Sequence, residues 1–257
     1  MSNKQWKDKL LSSSIPLEFE VAKLLVKKGF SISSDFTYSR SDAGVDKDFS
    51  VDIHATAYLP FSNPNRITAS LEMLVECKYR NPNIRQWLLL PDPNKPDFSP
   101  ITLGYTIHIV DDFSPYSVTK NAYIDFEAML PCCYKAIEID IKSSAVYDAE
   151  IKHGLCQLQY AAPRLIVEQI MSNVQGHIKD NKPFIFYSVL ITTAEIFIAK
   201  NNSTIQEVEK ASDLADIAVK VPYLIFYSDY GPDFELHCSK ECQSLNNLDK
   251  FEQIKIL

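Results

Sequence analysis

The sequence predicts a mixed α/β fold, a central sheet flanked by helices with extra strands in the C-terminal half. Three observations predict it. Stretches of helical period at 16–28 and 144–175 bracket a set of strand-like runs. More strand-like runs follow the second helical stretch. The resulting order of helix, strands, helix, strands suits a mixed layered sheet better than a doubly wound parallel one. At 257 residues the chain can bury a sizeable core as one domain spanning 1–257.

Taken in order, a short helix is expected around 3–12. Residues 16–28 (PLEFEVAKLLVKK) read as an amphipathic helix, with Ser14 as its N-terminal cap, Pro16 in the first turn and Gly29 as its stop. Leu17, Val21, Leu24, Leu25 and Lys28 fall at helical spacing and predict one stripe turned to a core. A short strand is expected over 31–38, then a polar stretch, SRSDAGVDKD. The β-rich run FSVDIHATAYL (49–59) and the run LEMLVECKY (71–79) flank a turn containing FSNPNR, which predicts an antiparallel pair. On the second of these strands Leu71, Met73, Val75, Cys77 and Tyr79 share one side, and Glu72, Leu74, Glu76 and Lys78 the other.

Residues 80–116 hold six of the fourteen prolines and predict an irregular, proline-rich insertion. Strand-like runs follow at 105–110, 134–141, 184–192, 194–199 and 221–227. The intervening helix over 144–175 is expected to bend at Pro163.

Composition narrows the function classes. A hydrophobic fraction of 46% and a charged fraction of 23% are those of an ordinary globular domain. No apolar run is long enough to cross a bilayer and the N-terminus lacks a signal-peptide core, so a cytoplasmic protein is expected, with no membrane partner. The six cysteines are too sparse for a disulfide framework. One alternative use is a zinc site drawn from Cys132, Cys133, His237, Cys238 and Cys242, although the spacing fits no usual pattern. The net charge of −7 argues against indiscriminate affinity for nucleic acid, yet residues 1–30 carry six Lys against Asp8, Glu18 and Glu20, a balance of +3. Residues 200–257 are acidic by comparison, six Lys against ten Asp and Glu.

The chemistry centres on Asp52, Glu76 and Lys78. Glu76 and Lys78 lie two residues apart on a strand and therefore point to one face, with Cys77 turned away. Asp52 on the preceding strand can meet that face. Two converging carboxylates repel unless a hard cation joins them, and Mg²⁺ prefers such oxygens while keeping waters of its own. His54 shares a strand face with Asp52. Asp46 and Asp48 lie just upstream and are expected in a polar loop. Arg80, Arg85 and Trp87 fit two roles equally: contacts to phosphates and a base, or a lid that packs its Trp into the core.

The run PLEFEVAKLLVKKGF, then FSVDI, then LVECKYR resembles the PD-(D/E)XK nuclease superfamily, closest to its Mrr-type restriction-endonuclease-like branch. The likeness covers about residues 14–80, and the 144–175 helix more loosely. Val51 stands where the family has its proline. The resemblance implies a restriction-endonuclease-like fold and a metal-dependent nuclease, with Mg²⁺ (or Mn²⁺ in its place) held by Asp52, Glu76 and the Cys77 carbonyl, and Lys78 positioning the attacking water. It also implies an acidic residue on the first helix facing the site, for which Glu18 matches the spacing and Glu20 belongs to the surface. A polar residue on the later helix is implied too, Gln157 in preference to Gln159. DNA is the expected substrate, with RNA not discriminated, and subunits of such enzymes often pair as a homodimer. A catalytically silent nucleic-acid- or protein-binding member of the same fold is the alternative.

Overall fold

The structure is a computed structural model, and it describes residues 5–42, 44–59, 69–94, 96–102, 105–110, 124–175, 184–201, 203–247 and 253–256. It is mixed α/β. The elements run α1 (Gln5–Ser12), α2 (Ile15–Lys27), β1 (Ser31–Asp42), β2 (Val45–Leu59), β3 (Ala69–Lys78), β4 (Arg85–Leu90), β5 (Phe98–Thr102), β6 (Tyr105–Val110), β7 (Ile124–Cys133), β8 (Lys135–Asp140) and β9 (Ala145–Tyr147). Then come α3 (Ala149–Gln175), β10 (Phe184–Thr192), β11 (Glu195–Ala199), α4 (Ile205–Lys210), α5 (Leu214–Ile217), β12 (Ala218–Val221), β13 (Ile225–Phe226), α6 (Phe234–Glu241) and β14 (Gln253–Ile256).

The principal sheet has the order β1-β2-β3-β10-β6-β14. Strands β1, β2 and β3 form an antiparallel meander, and β10 joins β3 in parallel after the chain has crossed over through α3. A parallel return of this kind requires a long connection, which α3 supplies. Being paired on both edges, β3 is buried on both faces: Leu74 on one side and Val75 and Cys77 on the other are all nearly inaccessible. Helix α2 covers the second side, where Val21 meets Ile53, Ala55, Val75 and Cys77. Helix α3 covers the first, where Leu158, Ala161 and Leu165, spaced three and four apart, pack on Tyr38, Val51, Leu74 and Phe186.

A second sheet, β12-β11-β4-β8-β9, encloses a separate core of Trp87, Leu89, Cys133, Ala136 and Ile151, and a third sheet has the order β13-β7-β5. Leu190 of β10 packs against both the α3-side core and the core of the second sheet, joining the two.

Several expectations are corrected. Residues 80–116 are not an irregular insertion where described. Besides the expected strand at 105–110, which is β6, they supply β4 and β5, because the prolines punctuate strands instead of preventing them. The polar stretch 39–48 is not a loop but the outer end of a β1–β2 hairpin, paired from Ser39↔Asp48 to Asp42↔Val45, with Gly44 at φ 81° in its turn. Ser14 precedes α2 but makes no side-chain cap. Its φ is 64° and its hydroxyl accepts from the Tyr79 amide at 2.9 Å instead. On α2 the buried stripe is narrower than its spacing predicts, since Leu24 stands exposed. The long helix starts at Ala149, not 144, because 145–147 pairs with β8, and it runs on through Pro163. Of 221–227 only Val221 and Ile225–Phe226 are strand. The turn at 60–68 lies outside the described residues, as do residues 111–116 of the proline-rich stretch. Among the described residues no helix is long and apolar enough to cross a membrane.

Candidate active site

The site forms where β2 leaves β3. Their pairing stops at Ile53↔Val75, while β2 remains paired to β1 further along. At this point β2 rolls over: Ile53 and Ala55 pack under α2, but Val51 packs under α3. Asp52 lies at the roll. Its Oδ2 accepts from the Cys77 amide of β3 at 2.7 Å, so a carboxylate replaces the missing strand partner. The opening between the strands lets helices from opposite faces of the sheet reach one place.

From β3, Glu76 and Lys78 point toward α3, as their period-two spacing requires. Lys78 Nζ donates to Glu76 Oε1 at 2.6 Å and to Gln157 Oε1 of α3 at 3.3 Å. Gln157 in turn donates from Nε2 to the Ser50 carbonyl at 2.7 Å, which fixes its amide with the oxygen toward the lysine. Helix α3 comes this close because residue 154 is glycine. A Cβ there would lie 2.9 Å from Leu190 Cδ1 and 3.1 Å from Lys78 Cε. Glu18, in the first turn of α2, approaches from the other face and feels the charges of Asp52 and Lys78.

Burial governs the protonation of all three carboxyls. It raises Glu76 to about 7, with the Asp52 charge adding to the rise and the Lys78 ammonium opposing it. Glu18 is also raised to about 7, by burial first and then by Asp52 and Asp35, against Lys78. Asp52 is raised by burial, which outweighs the Cys77 amide and Lys78. The Cys77 thiol, on the opposite face, is pushed up to about 12 by burial and the surrounding carboxylates, so it stays protonated at neutral pH.

Among the described residues no three His, Cys, Asp or Glu side chains converge as a metal cage. Glu18 therefore does not close a ring of three acids around one ion; the Asp52 charge reaches it from a distance. The donor set nonetheless suits Mg²⁺, which needs only one or two carboxylates. Glu76 is 1% exposed, and its Oε2 is buried with no hydrogen-bond partner among the described residues. A buried oxygen with unmet bonding capacity, beside a second carboxylate, is what a hard cation or a proton would satisfy.

Other candidates fall elsewhere. Trp87 is 3% exposed and gives its indole N–H to Glu138 at 2.9 Å, so it packs in the core and does not stack on a base. Arg80 and Arg85 are engaged by Glu138, Glu150 and Asp140 and are not free for phosphates. His54 bonds Glu72 at 2.7 Å, further along the strands from Asp52. Asp46 and Asp48 are exposed on the hairpin, on a strand and not in a loop. Gln159 bonds Ser228, and Glu20 is a surface residue, as expected. The zinc alternative is not assembled: Cys132 and Cys133 are buried in β7, while His237 bonds the Tyr160 carbonyl from α6.

Sequence reasoning missed Gly154, Asp35 and the Ser50 carbonyl. Gly154 directly precedes the Gln157 turn in GLCQ, and a glycine inside a helical run is the signal that marks it. Asp35, exposed on β1 at φ 55°, carries no local sign that its charge reaches Glu18 and Asp52.

No family model, no curated protein and no solved structure matches this chain.

Proposed function

We propose that the chain is a metal-dependent phosphodiesterase acting on nucleic acid, with DNA as its substrate, and that it belongs to the PD-(D/E)XK superfamily with a restriction-endonuclease-like fold. The observation that carries this reading is the buried, unpartnered Glu76 oxygen beside Lys78, with Gln157 gripping that lysine and the charge of Asp52 acting on both Glu76 and Glu18. The chain order of a helix acid, a strand Asp, an ExK strand and a helix Gln supports the family assignment, as does the mixed sheet between α2 and α3.

Asp52, Glu76 and the Cys77 carbonyl would hold Mg²⁺ or Mn²⁺. Such an ion supplies Lewis-acid polarisation of a phosphoryl oxygen and eases deprotonation of water. The chain's own groups do the rest. Lys78 Nζ, held between Glu76 and Gln157, orients the attacking water and stabilises charge that grows on the phosphoryl oxygens. Glu18, raised to about 7 by burial and by the charges of Asp52 and Asp35, tunes the metal site from the first turn of α2. Gln157 restrains the lysine and so reduces the reorganisation the step requires.

Plasmid cleavage with Mg²⁺ or Mn²⁺ tests this. Asp52→Ala and Lys78→Ala should each lower the rate by at least about 100-fold, the scale of losing one preorganised stabilising group, while the melting profile keeps its shape. An Asp52→Ala protein that cuts at the wild-type rate overturns the assignment. Wild-type protein that shows neither cleavage nor thermal stabilisation with either ion identifies a silent binding member of the fold.

A further inference from the structure

Helices α1 and α2 present an outer surface on which aromatic rings and ammonium groups sit side by side. Trp6 is 51% exposed and Phe19 63%, although α2 is otherwise anchored in the core by Val21. Lys7 Nζ lies 5.6 Å from the Trp6 ring centre and Lys23 Nζ 4.5 Å from that of Phe19. Ile15, Phe19, Lys23 and Val26 recur at helical spacing and form one outward stripe. Glu18 of the site lies on the flank of that stripe, one residue from Phe19.

The charge of this surface is unlike that of the rest of the chain. Residues 5–28 hold Lys7, Lys9, Lys23, Lys27 and Lys28 against Asp8, Glu18 and Glu20, five minus three, or +2, in a protein of net −7. Elsewhere several cations are matched by carboxylates: Arg40 with Asp233, Arg80 and Arg85 with Glu138, Lys152 with Asp148, Arg164 with Glu168, and Lys220 with Glu195. Among the described residues none of these five lysines is paired with a carboxylate. A free ammonium beside an open ring meets the two needs of an unpaired nucleic-acid strand, a cation for the phosphate and a flat face for the base. A second copy of the chain fits poorly, since a twofold contact would set the same lysines against each other.

We propose that the α1–α2 face binds an unpaired nucleic-acid strand, with Trp6 and Phe19 stacking on bases and Lys7, Lys23 and Lys27 contacting phosphates, and delivers it along α2 toward Glu18 and Asp52. The delivery step rests on the nuclease reading; the binding step does not. Binding is therefore measured in EDTA, without cleavage, by the anisotropy of a fluorescein-labelled oligothymidylate and by intrinsic fluorescence. Trp87 is buried, so quenching on titration reports Trp6.

Wild-type protein should bind, and its tryptophan emission should fall. The triple variant Lys7→Glu, Lys23→Glu, Lys27→Glu should bind at least about tenfold more weakly, with the slope of log affinity against log salt shallower by about 2, from about 0.7 per phosphate contact. Trp6→Ala should lose about tenfold, the scale of one stacked base. No residue of α1 is buried, and Lys23 and Lys27 are exposed on α2, so these changes leave the core intact. An oligouridylate that binds equally well supports the same surface for either sugar. The proposal is overturned by affinity unchanged in the triple variant, by binding without quenching, by a dimer that shields Trp6, or by association with anionic vesicles and no oligonucleotide. Wild-type protein that cleaves with Mg²⁺ or Mn²⁺ but does not bind the oligonucleotide in EDTA sinks this proposal alone. Binding with no cleavage under Mg²⁺ or Mn²⁺ sinks the nuclease reading alone.

Discussion

Glu76 and Glu138 are both inaccessible carboxylates on inner strands, and their surroundings could hardly differ more. Glu138 of β8 is 3% exposed and accepts from Arg80 Nε at 2.7 Å, Arg85 at 3.1 Å and the Trp87 indole at 2.9 Å. Glu76 of β3 accepts from Lys78, with the Asp52 backbone N–H also acting on its carboxyl, and its second oxygen has no hydrogen-bond partner among the described residues. The first has its bonding capacity filled by the fold; the second is held in a state the fold does not complete. Burial alone does not mark a functional carboxylate, since both are buried. Unmet hydrogen-bonding capacity separates them, because a folded chain leaves such a group only at a cost that a ligand or proton can remove.

The largest effect that would test this contrast is on stability. Glu138→Ala strips a buried partner from two guanidiniums and an indole, and should cost about 3 kcal/mol or more in urea unfolding. Glu76→Gln should stay within about 1 kcal/mol of wild type, since it removes a charge the site does not fully compensate. Should the Glu138 variant unfold no more easily than the Glu76 variant, the distinction between the two fails.

Acid titration sharpens it next. Glu18 and Glu76 are both raised from 4.5 to about 7, so each is more readily protonated in the folded than in the unfolded chain. Their contribution to stability is complete below the unfolded value of 4.5 and is lost as pH rises through about 7. Thermal melts across that window should show the metal-free protein weakening with pH, and Glu76→Gln should flatten the trend. Mg²⁺ binds the ionised forms, so its stabilising effect should grow over the same window. A melting profile independent of pH in both proteins would contradict the burial of these groups.

The smallest effect concerns Gly154. In Gly154→Ala the new methyl would press on Leu190 and Lys78, an overpacking cost of about 1–3 kcal/mol, partly offset by a gain of about 1 kcal/mol in helix propensity. Cleavage should fall further than stability does, because the displaced atom is the stem of Lys78. Equal cleavage rates in the variant and the wild type would show that α3 does not set the lysine's position.

Legibility followed the range of the interactions. Glu76 and Lys78 were readable as a pair because alternation along a strand is local, and Glu18 was reached through the family resemblance whose spacing it matches. The network of Arg80, Arg85, Trp87, Glu138 and Asp140 was not, since its partners lie more than fifty residues apart. Its trace was nevertheless present: Arg85 and Trp87 share one parity on β4, as Glu138 and Asp140 do on β8. Prolines obscured that trace by making 80–116 resemble a loop.

Two kinds of property thus have different origins. The mixed α/β class, the side of β3 on which Glu76 and Lys78 lie and the helical phase of Glu18 were set by short-range periodicity, which any stretch of chain carries within itself. The break in pairing at Asp52, the grip of Gln157 on Lys78 through Ser50 and the orphaned Glu76 oxygen were decided only when α3 folded back across the sheet. Unmet bonding capacity depends on everything that surrounds an atom, and no local pattern encodes it.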